Sequence, residues 1–196
     1  GFYTRAGELL EEMRKSDPLN EPVRLHYMMS FVFLGDLQRA VDEFERGRKS
    51  FGDEWIGNPC RSIISICLDS KVSSADVAYP GSVNEAVRNY LDSPERALKE
   101  LHRIYKDIEG IFTDLGEIAV WASYLGDHDF AMEALEKGYA INGGNMEFAW
   151  LPSMHEVRQL PRFKEFVREI GLVDYWNEFG WPDLCHKLDN GDFVCK

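Results

Sequence analysis

A recurring spacing of small and large residues constrains the fold of this chain more than any other feature. In its clearest copy, Gly35 and Asp36 are followed by Ala40, Phe44 and Gly47. The same residue types return 91 positions later, at Gly126, Asp127, Ala131, Leu135 and Gly138. A shift of 34 positions toward the N terminus gives Gly1, Ala6, Leu10 and Met13, with Pro18 closing the unit. A fixed period of roughly 20–50 residues is typical of an array of stacked units.

The spacing predicts that each unit is a pair of helices. Ala40 and Gly47 are seven positions apart, or about two helical turns, so they share one helix face and let a partner helix approach closely. Gly35 supplies the left-handed residue that ends the preceding helix. Because one helix pair cannot bury its own apolar stripe, we expect the pairs to stack on one another.

The residues in this register resemble the 34-residue unit of the tetratricopeptide repeat family. The matching positions are Gly1, Ala6, Leu10, Met13, Pro18, Gly35, Ala40, Phe44, Gly47, Ala97, Leu101, Ile104, Ala119, Gly126, Ala131, Leu135 and Gly138. The resemblance implies an all-α fold, a right-handed superhelix of helical hairpins.

The phase of the repeat divides residues 1–149 into units. Residues 1–20 are predicted as a lone second helix, 21–54 and 112–145 as complete pairs, and 55–111 as a third pair interrupted by an insertion at 71–93. In a competing interpretation, residues 82–91 are a regular first helix and 58–70 have no partner. Since the chain begins Gly-Phe-Tyr, we also expect it to be a fragment of a larger protein.

From residue 150 the repeat phase stops, and 150–196 are predicted to form a capping module packed on the array as one domain. Tyr175, Trp176, Phe179 and Trp181 are expected to seal the end of the last pair. The segment from Leu151 to Cys195 is similar to the C-terminal end of tetratricopeptide regions appended to bacterial adenylate cyclases and winged-helix regulators. That resemblance implies a bacterial signalling or regulatory protein, although neither of those domains is present in this chain.

A short hairpin is predicted at the C terminus. Asp189-Asn190-Gly191 suits a three-residue loop with its glycine in the left-handed region, which would set Cys185 opposite Cys195 at disulfide distance. The alternatives are two reduced thiols, or a two-residue turn whose register offsets the cysteines. A disulfide would imply an oxidising compartment such as the periplasm; without it the location stays open.

Composition and motifs exclude several functions. The net charge of −12 disfavours nucleic acid as a partner, because phosphate binding needs a basic face. No apolar run is long enough to cross a membrane, and no catalytic or phosphate-binding motif occurs. We therefore expect a non-enzymatic protein without a cofactor or metal. Asp127-His128-Asp129 is interpreted as a helix cap, and Cys60 and Cys67 as core residues.

The predicted function is protein or peptide binding in an apolar concave groove. Mapping the family's groove positions onto this chain gives Leu25, Met29, Val32, Phe33, Ile63, Ile66, Cys67, Val120 and Tyr124. An amphipathic helix or apolar peptide would suit such a surface, unless these side chains pack on one another or 71–93 covers them. The alternative is an oligomerisation segment, in which the lone helix of 1–20 pairs with a second copy through Leu9, Leu10 and Met13.

Overall fold

The computed structural model describes residues 2–52, 55–57, 60–68, 82–108, 112–143 and 146–196. Within these ranges the protein is mostly helical and has a two-stranded antiparallel sheet near its C terminus. The chain divides into two compact units, Gly1–Tyr79 and Pro80–Lys196. This division falls inside the predicted 71–93 insertion.

The first unit contains four helices in its described part. They are α1 (Tyr3–Ser16), α2 (Glu21–Leu34), α3 (Leu37–Phe51) and α4 (Cys60–Cys67). Helix α2 packs against α1 and α3, and α4 packs against α3. The predicted lone helix of 1–20 and the helix pair of 21–54 are therefore confirmed as helices.

Local sequence signals set the bounds of these helices. The Asn20 side chain accepts a hydrogen bond from Val23 N at 3.1 Å, and Pro22 lies in the first turn of α2. Gly35 ends α2 with φ 76° in the left-handed region, where a residue with a Cβ is strained. Asp36 then caps α3 by accepting from Arg39 N. The expectation for the Gly35 turn is confirmed.

The indole of Trp55 fills the space that Gly47 leaves open on α3. A Cβ built on Gly47 would overlap the six-membered ring of Trp55, which is 1% exposed and lies 5.2 Å from the ring of Phe44. The small residue of the repeat pattern is therefore explained by close approach, as expected, but here an indole ring makes that approach.

The second unit begins with four helices and ends in a compact C-terminal segment. The helices are α5 (Ser82–Arg88), α6 (Pro94–Asp107), α7 (Phe112–Tyr124) and α8 (His128–Asn142). The C-terminal segment contains α9 (His155–Gln159), α10 (Pro161–Glu169), α11 (Leu172–Phe179), β1 (Cys185–Lys187) and β2 (Phe193–Cys195). Helices α7 and α8 form the predicted pair of 112–145 and pack closely on each other.

Helix α5 is packed into the second unit. It contacts α6 and α7, Val83 and Val87 are fully buried, and Asn84 Oδ1 accepts a hydrogen bond from Trp121 Nε1 at 3.1 Å. This packing is what the competing interpretation expects of residues 82–91. Residues 71–81 of the predicted insertion lie outside the described residues.

The C-terminal segment packs on α7 and α8 through short 3-10 turns at 148–154 and through α9 and α10. Trp176 lies 5.3 Å from Trp181, so two of the four predicted aromatics pack together, and Trp150, which was not predicted, lies 5.9 Å from Trp176. The same prediction is wrong for Tyr175 and Phe179, which are 48% and 61% exposed. Their rings contact each other instead, with centroids 4.8 Å apart.

The terminal hairpin has the predicted register. Cys185 pairs with Cys195, His186 with Val194 and Lys187 with Phe193, and the two cysteines are joined in a disulfide with Cα atoms 4.0 Å apart. Gly191 has φ 83° and donates to Leu188 O at 3.0 Å. The three-residue loop is therefore confirmed and the shifted register is excluded.

Candidate functional site

The predicted groove residues do not all lie at the surface. Val32 is fully buried, and Ile66, Cys67 and Val120 are also buried within their own units. In the structure these four side chains belong to the packing between helices. They correspond to the alternative in which predicted groove residues pack on one another.

The other predicted groove residues are half-buried and fall in both units. Leu25, Met29 and Phe33 lie on α2 and Ile63 lies on α4, whereas Tyr124 ends α7 in the second unit. The Tyr124 ring makes an edge contact with Trp121 at 5.7 Å. A single groove formed by all of them stays a prediction.

The packing of α1 on α2 shows which side of the first unit each residue occupies. Tyr3 stacks on Phe33 with ring centroids 4.3 Å apart, and the Cβ position of Gly7 lies 3.1 Å from Ser30 Oγ. Near the other end of α1, the Arg14 guanidinium lies 5.1 Å from the Tyr27 ring centroid. Residues late in α1 thus meet residues early in α2, so the two helices are antiparallel.

Two different surfaces flank this helix pair. From the helical spacing of 100° per residue, Glu11 of α1 and Tyr27 of α2 lie on one side. Leu9 and Met13 of α1 fall on the opposite side, together with Met29 of α2. We call Leu9, Met13, Leu25, Met29 and Phe33 the apolar face.

The apolar face is left partly open by the described residues. Leu9 is 56% exposed and Met13 is 51% exposed, although both are large apolar side chains on a regular helix. Single exposed apolar residues are common, but a contiguous group of them indicates a contact surface. Sequence analysis assigned the α1 and α2 residues to two separate hypotheses; the structure places them on one side of the same helix pair.

The opposite side of the pair carries a cluster of charged and hydroxyl groups. Arg14 donates two hydrogen bonds to the Glu11 carboxylate, at 3.1 and 2.8 Å. These bonds, with a further one from Tyr27, lower the pKa of Glu11 to about 2. Burial, and then the hydrogen bond to Glu11, raise the pKa of Tyr27. The cluster fixes the crossing of α1 and α2 on this side.

Next to this cluster, α2 and α3 line an open cleft of about 260 Å³. Its walls are formed by Tyr27, Phe31, Arg39, Asp42, Glu43 and Arg46. Arg39 lies over the Phe31 ring at 5.6 Å, and Arg46 donates to Glu43 at 2.5 Å. Because two arginines and two carboxylates line the cleft, their formal charges balance and the cleft presents no excess of either sign.

Sequence analysis missed a buried ion pair beneath the cleft. Arg24 Nη1 lies 3.4 Å from Glu43 Oε2, and both side chains are more than nine-tenths buried. Arg24 Nε has no hydrogen-bond partner among the described atoms. A sequence signal existed, because Arg24 precedes Met28 and Val32 at the spacing of the buried stripe of α2.

The acidic turn of Asp127, His128 and Asp129 has a structural role at the start of α8. Asp127 caps α8 by accepting from Phe130 N at 3.0 Å, as predicted for the Asp127-His128-Asp129 turn. Across the ranges that the structure describes, no group of three or more His, Cys, Asp or Glu side chains converges on a metal-sized space. Nor does a described helix have the length and apolar character needed to span a bilayer.

The geometry thus brings several of the predicted site residues together on one partly exposed surface of the first unit, the apolar face of α1 and α2. It contains three of the predicted groove residues, Leu25, Met29 and Phe33, and two residues of the predicted oligomerisation helix, Leu9 and Met13. Compared with known protein families, characterised proteins and solved structures, the chain gives no match to any of the three.

Proposed function

We propose that this chain is a non-enzymatic protein-interaction module that binds the apolar side of an amphipathic helix at the apolar face. The observation that carries the proposal is the exposure of Leu9 and Met13, at 56% and 51%, on a helix otherwise packed against α2. Burial of such side chains by a partner is favourable by about 25 cal/mol per Å² of apolar surface.

The shape and charge of the surface suit a helical partner. Leu9 and Met13 are one turn apart on α1, and Leu25, Met29 and Phe33 follow one another at one-turn spacing on α2. Two parallel ridges of this kind accept a helix with apolar residues at three- and four-residue spacing. Because the chain carries a net charge of −12, a partner with basic flanks would associate faster than an acidic one.

The finer parts of the proposal come from the sequence resemblance. We propose that the helix pairs belong to a right-handed superhelix of the tetratricopeptide type, and that the chain serves as the sensor or partner-binding segment of a bacterial signalling or regulatory protein. The helix–turn–helix pairs α2–α3 and α7–α8, each with a glycine at its turn, support this proposal.

The experiment is a binding measurement with substitutions on the apolar face. A display library of amphipathic helical peptides is selected against the full chain, and a recovered peptide is titrated by fluorescence anisotropy. Leu9→Glu and Met13→Glu should each weaken binding about tenfold, which corresponds to about 1.4 kcal/mol. The matched control is Ile141→Glu, at a 42% exposed apolar position of α8, which should leave the affinity within about twofold.

Peptide affinity that is unchanged in Leu9→Glu and Met13→Glu, with the circular dichroism spectrum and melting temperature preserved, would refute the proposed surface. Substitution of Leu9 and Met13 separates a loss of binding from a loss of folding, because both side chains are more than half exposed and contribute little to the core.

A second candidate function is self-association through α1. The same exposure of Leu9 and Met13 favours it, and Leu10, which is half-buried, would gain further cover in an oligomer. A change of molar mass with protein concentration in light scattering would support this candidate; a constant monomer mass would contradict it.

A further inference from the structure

The geometry points to a specific occupant for the α1 part of the apolar face: helix α1 of a second copy of this chain, packed antiparallel in a twofold-symmetric dimer. This inference rests on the proposed function, because it names the amphipathic helix that the apolar face accepts. It also fixes the direction of that helix and the charged pairs that select it.

The exposed seam of α1 has the residue pattern of a helix that pairs with another helix. Ala6, Leu9 and Met13 are spaced alternately by three and four residues, which is the spacing of a two-helix coiled-coil seam. Their side of α1 lies next to the side that contacts α2, through Tyr3 and Gly7. Helix α1 is therefore apolar over a wider arc than α2 covers.

Charges of opposite sign lie beside the seam of α1. Arg5 and Glu12 directly precede Ala6 and Met13 and are seven positions apart, so they flank the same edge of the seam, whereas Glu8 lies farther round the helix from the seam. Both side chains are exposed, and neither forms an ion pair with another described residue. In contrast, Glu11, Arg14 and Lys15 on the other side of α1 pair with one another.

The same two charges also set the relative direction of the two α1 helices in the dimer. When two copies of α1 run antiparallel with their centres between Glu8 and Leu9, Arg5 of each helix faces Glu12 of the other, and the twofold axis makes two such pairs. In a parallel dimer the residue opposite Arg5 is Leu10, which carries no charge. Flanking charges of this kind set orientation in coiled coils, and an isologous contact closes on itself as a dimer.

The size of the contact predicts a weak dimer. A single helix-on-helix contact buries less than the roughly 800 Å² per partner of a stable interface. We therefore expect reversible association in the micromolar range or weaker. Since the two ion pairs would lie at the exposed edge of the seam, their contribution should fall as the salt concentration rises.

The experiment is sedimentation equilibrium of the full chain over a wide range of protein concentration, at low and at high salt. Arg5→Glu and Glu12→Arg should each weaken the dimer about tenfold at low salt, because each turns two attractive pairs into two repulsive ones. Leu9→Asp should abolish the dimer. Glu8→Arg changes the charge as much as Glu12→Arg but lies away from the seam, and it should have an effect of less than about twofold.

The most specific measurement is sedimentation of a mixture of the two single variants. In a mixed antiparallel dimer, Glu at position 5 of one copy faces Arg at position 12 of the other, and native Glu12 faces native Arg5. The mixture of Arg5→Glu and Glu12→Arg should therefore associate with close to wild-type affinity, although neither variant does so alone. The double variant Arg5→Glu/Glu12→Arg should likewise recover.

Each other outcome overturns the inference. A chain that stays monomeric at all concentrations while still binding the selected helical peptide refutes self-pairing and leaves the proposed function intact. A dimer that is lost in Leu9→Asp but unaffected by the charge variants, or not recovered by mixing, refutes the antiparallel arrangement alone. Helical content and melting temperature of every variant must match those of the wild type.

Discussion

The interiors of the two units are built differently. Of the twelve largest fully buried side chains in the described ranges, Trp55 and Met28 belong to the first unit and the other ten to the second. The first unit instead buries the Arg24–Glu43 ion pair and leaves Leu9 and Met13 more than half exposed. The second unit closes its C-terminal segment with the Cys185–Cys195 disulfide.

This difference between the two interiors leads us to expect different stabilities for the two units. An interior of close-packed apolar side chains supplies most of the free energy of folding, so the second unit is built for stability. A buried ion pair contributes little net stability but is costly to break on one side. We therefore expect the first unit to be the less stable of the two.

The largest expected effect comes from breaking the ion pair in the first unit. Glu43→Leu leaves Arg24 buried without its partner and should lower the free energy of unfolding by about 3–5 kcal/mol. The double variant Arg24→Met/Glu43→Leu should be near wild-type stability, because both desolvated charges are gone. Urea unfolding followed by circular dichroism measures both. A single variant that loses less than about 1 kcal/mol would show that the pair is solvated.

A smaller effect is expected from opening the disulfide in the second unit. The bond closes a loop with a sequence separation of 10 residues, so Cys185→Ser/Cys195→Ser should lower the free energy of unfolding by about 2–3 kcal/mol in the chain-entropy model. Alkylation of the unfolded, unreduced wild type should label Cys60 and Cys67 only. Labelling of all four cysteines before reduction would contradict the bond.

The smallest effect concerns the charged side of the α1–α2 pair. The pKa of Glu11 is lowered to about 2, chiefly by hydrogen bonds from Arg14, so its stabilising effect is present above the ordinary glutamate pKa and is lost as pH falls toward 2. Glu11→Gln should cost about 0.5–1 kcal/mol at pH 7, and most of this cost should disappear as pH falls to about 2.

The matched control for that titration is Glu8→Gln, on the same helix one turn earlier. Glu8 is exposed and has no side-chain partner within the described part of the chain. Thermal unfolding of both variants from pH 7 down to pH 2 provides the comparison. A cost for Glu11→Gln that is constant over this range would show that Glu11 contributes by packing and not by its charge.

The extent to which sequence predicted the fold differs between local and distant features. The hairpin register was among the few that the sequence allowed, because Asp189-Asn190-Gly191 suits a three-residue loop or a two-residue turn, and the three-residue loop places Cys185 against Cys195. The role of residues 82–91 was not predictable, because both interpretations require a helix there. Only the burial of Val83 and Val87, against residues far away in the chain, distinguishes an integral helix from an added one.

The candidate site shows the same limit. The repeat phase marked Leu25, Met29 and Phe33 as surface residues of α2, and they are half-buried there. The same phase marked Val32 and Val120, which the structure places in the core. Periodicity assigns a residue to a helix face, but it does not say which face a neighbouring helix covers.

Local sequence signals account for the ends of the helices and for the turn of the terminal hairpin, because caps, left-handed glycines and turn residues act over a few neighbouring positions. The Gly35 and Gly126 turns and the Asp127 cap are of this kind. Only tertiary packing brings Arg24 against Glu43. The same packing places the α1 and α2 residues of the apolar face on one side of the helix pair. Those outcomes depend on how whole helices pack, since the free energy of burial is set by contacts between segments that are distant in the chain.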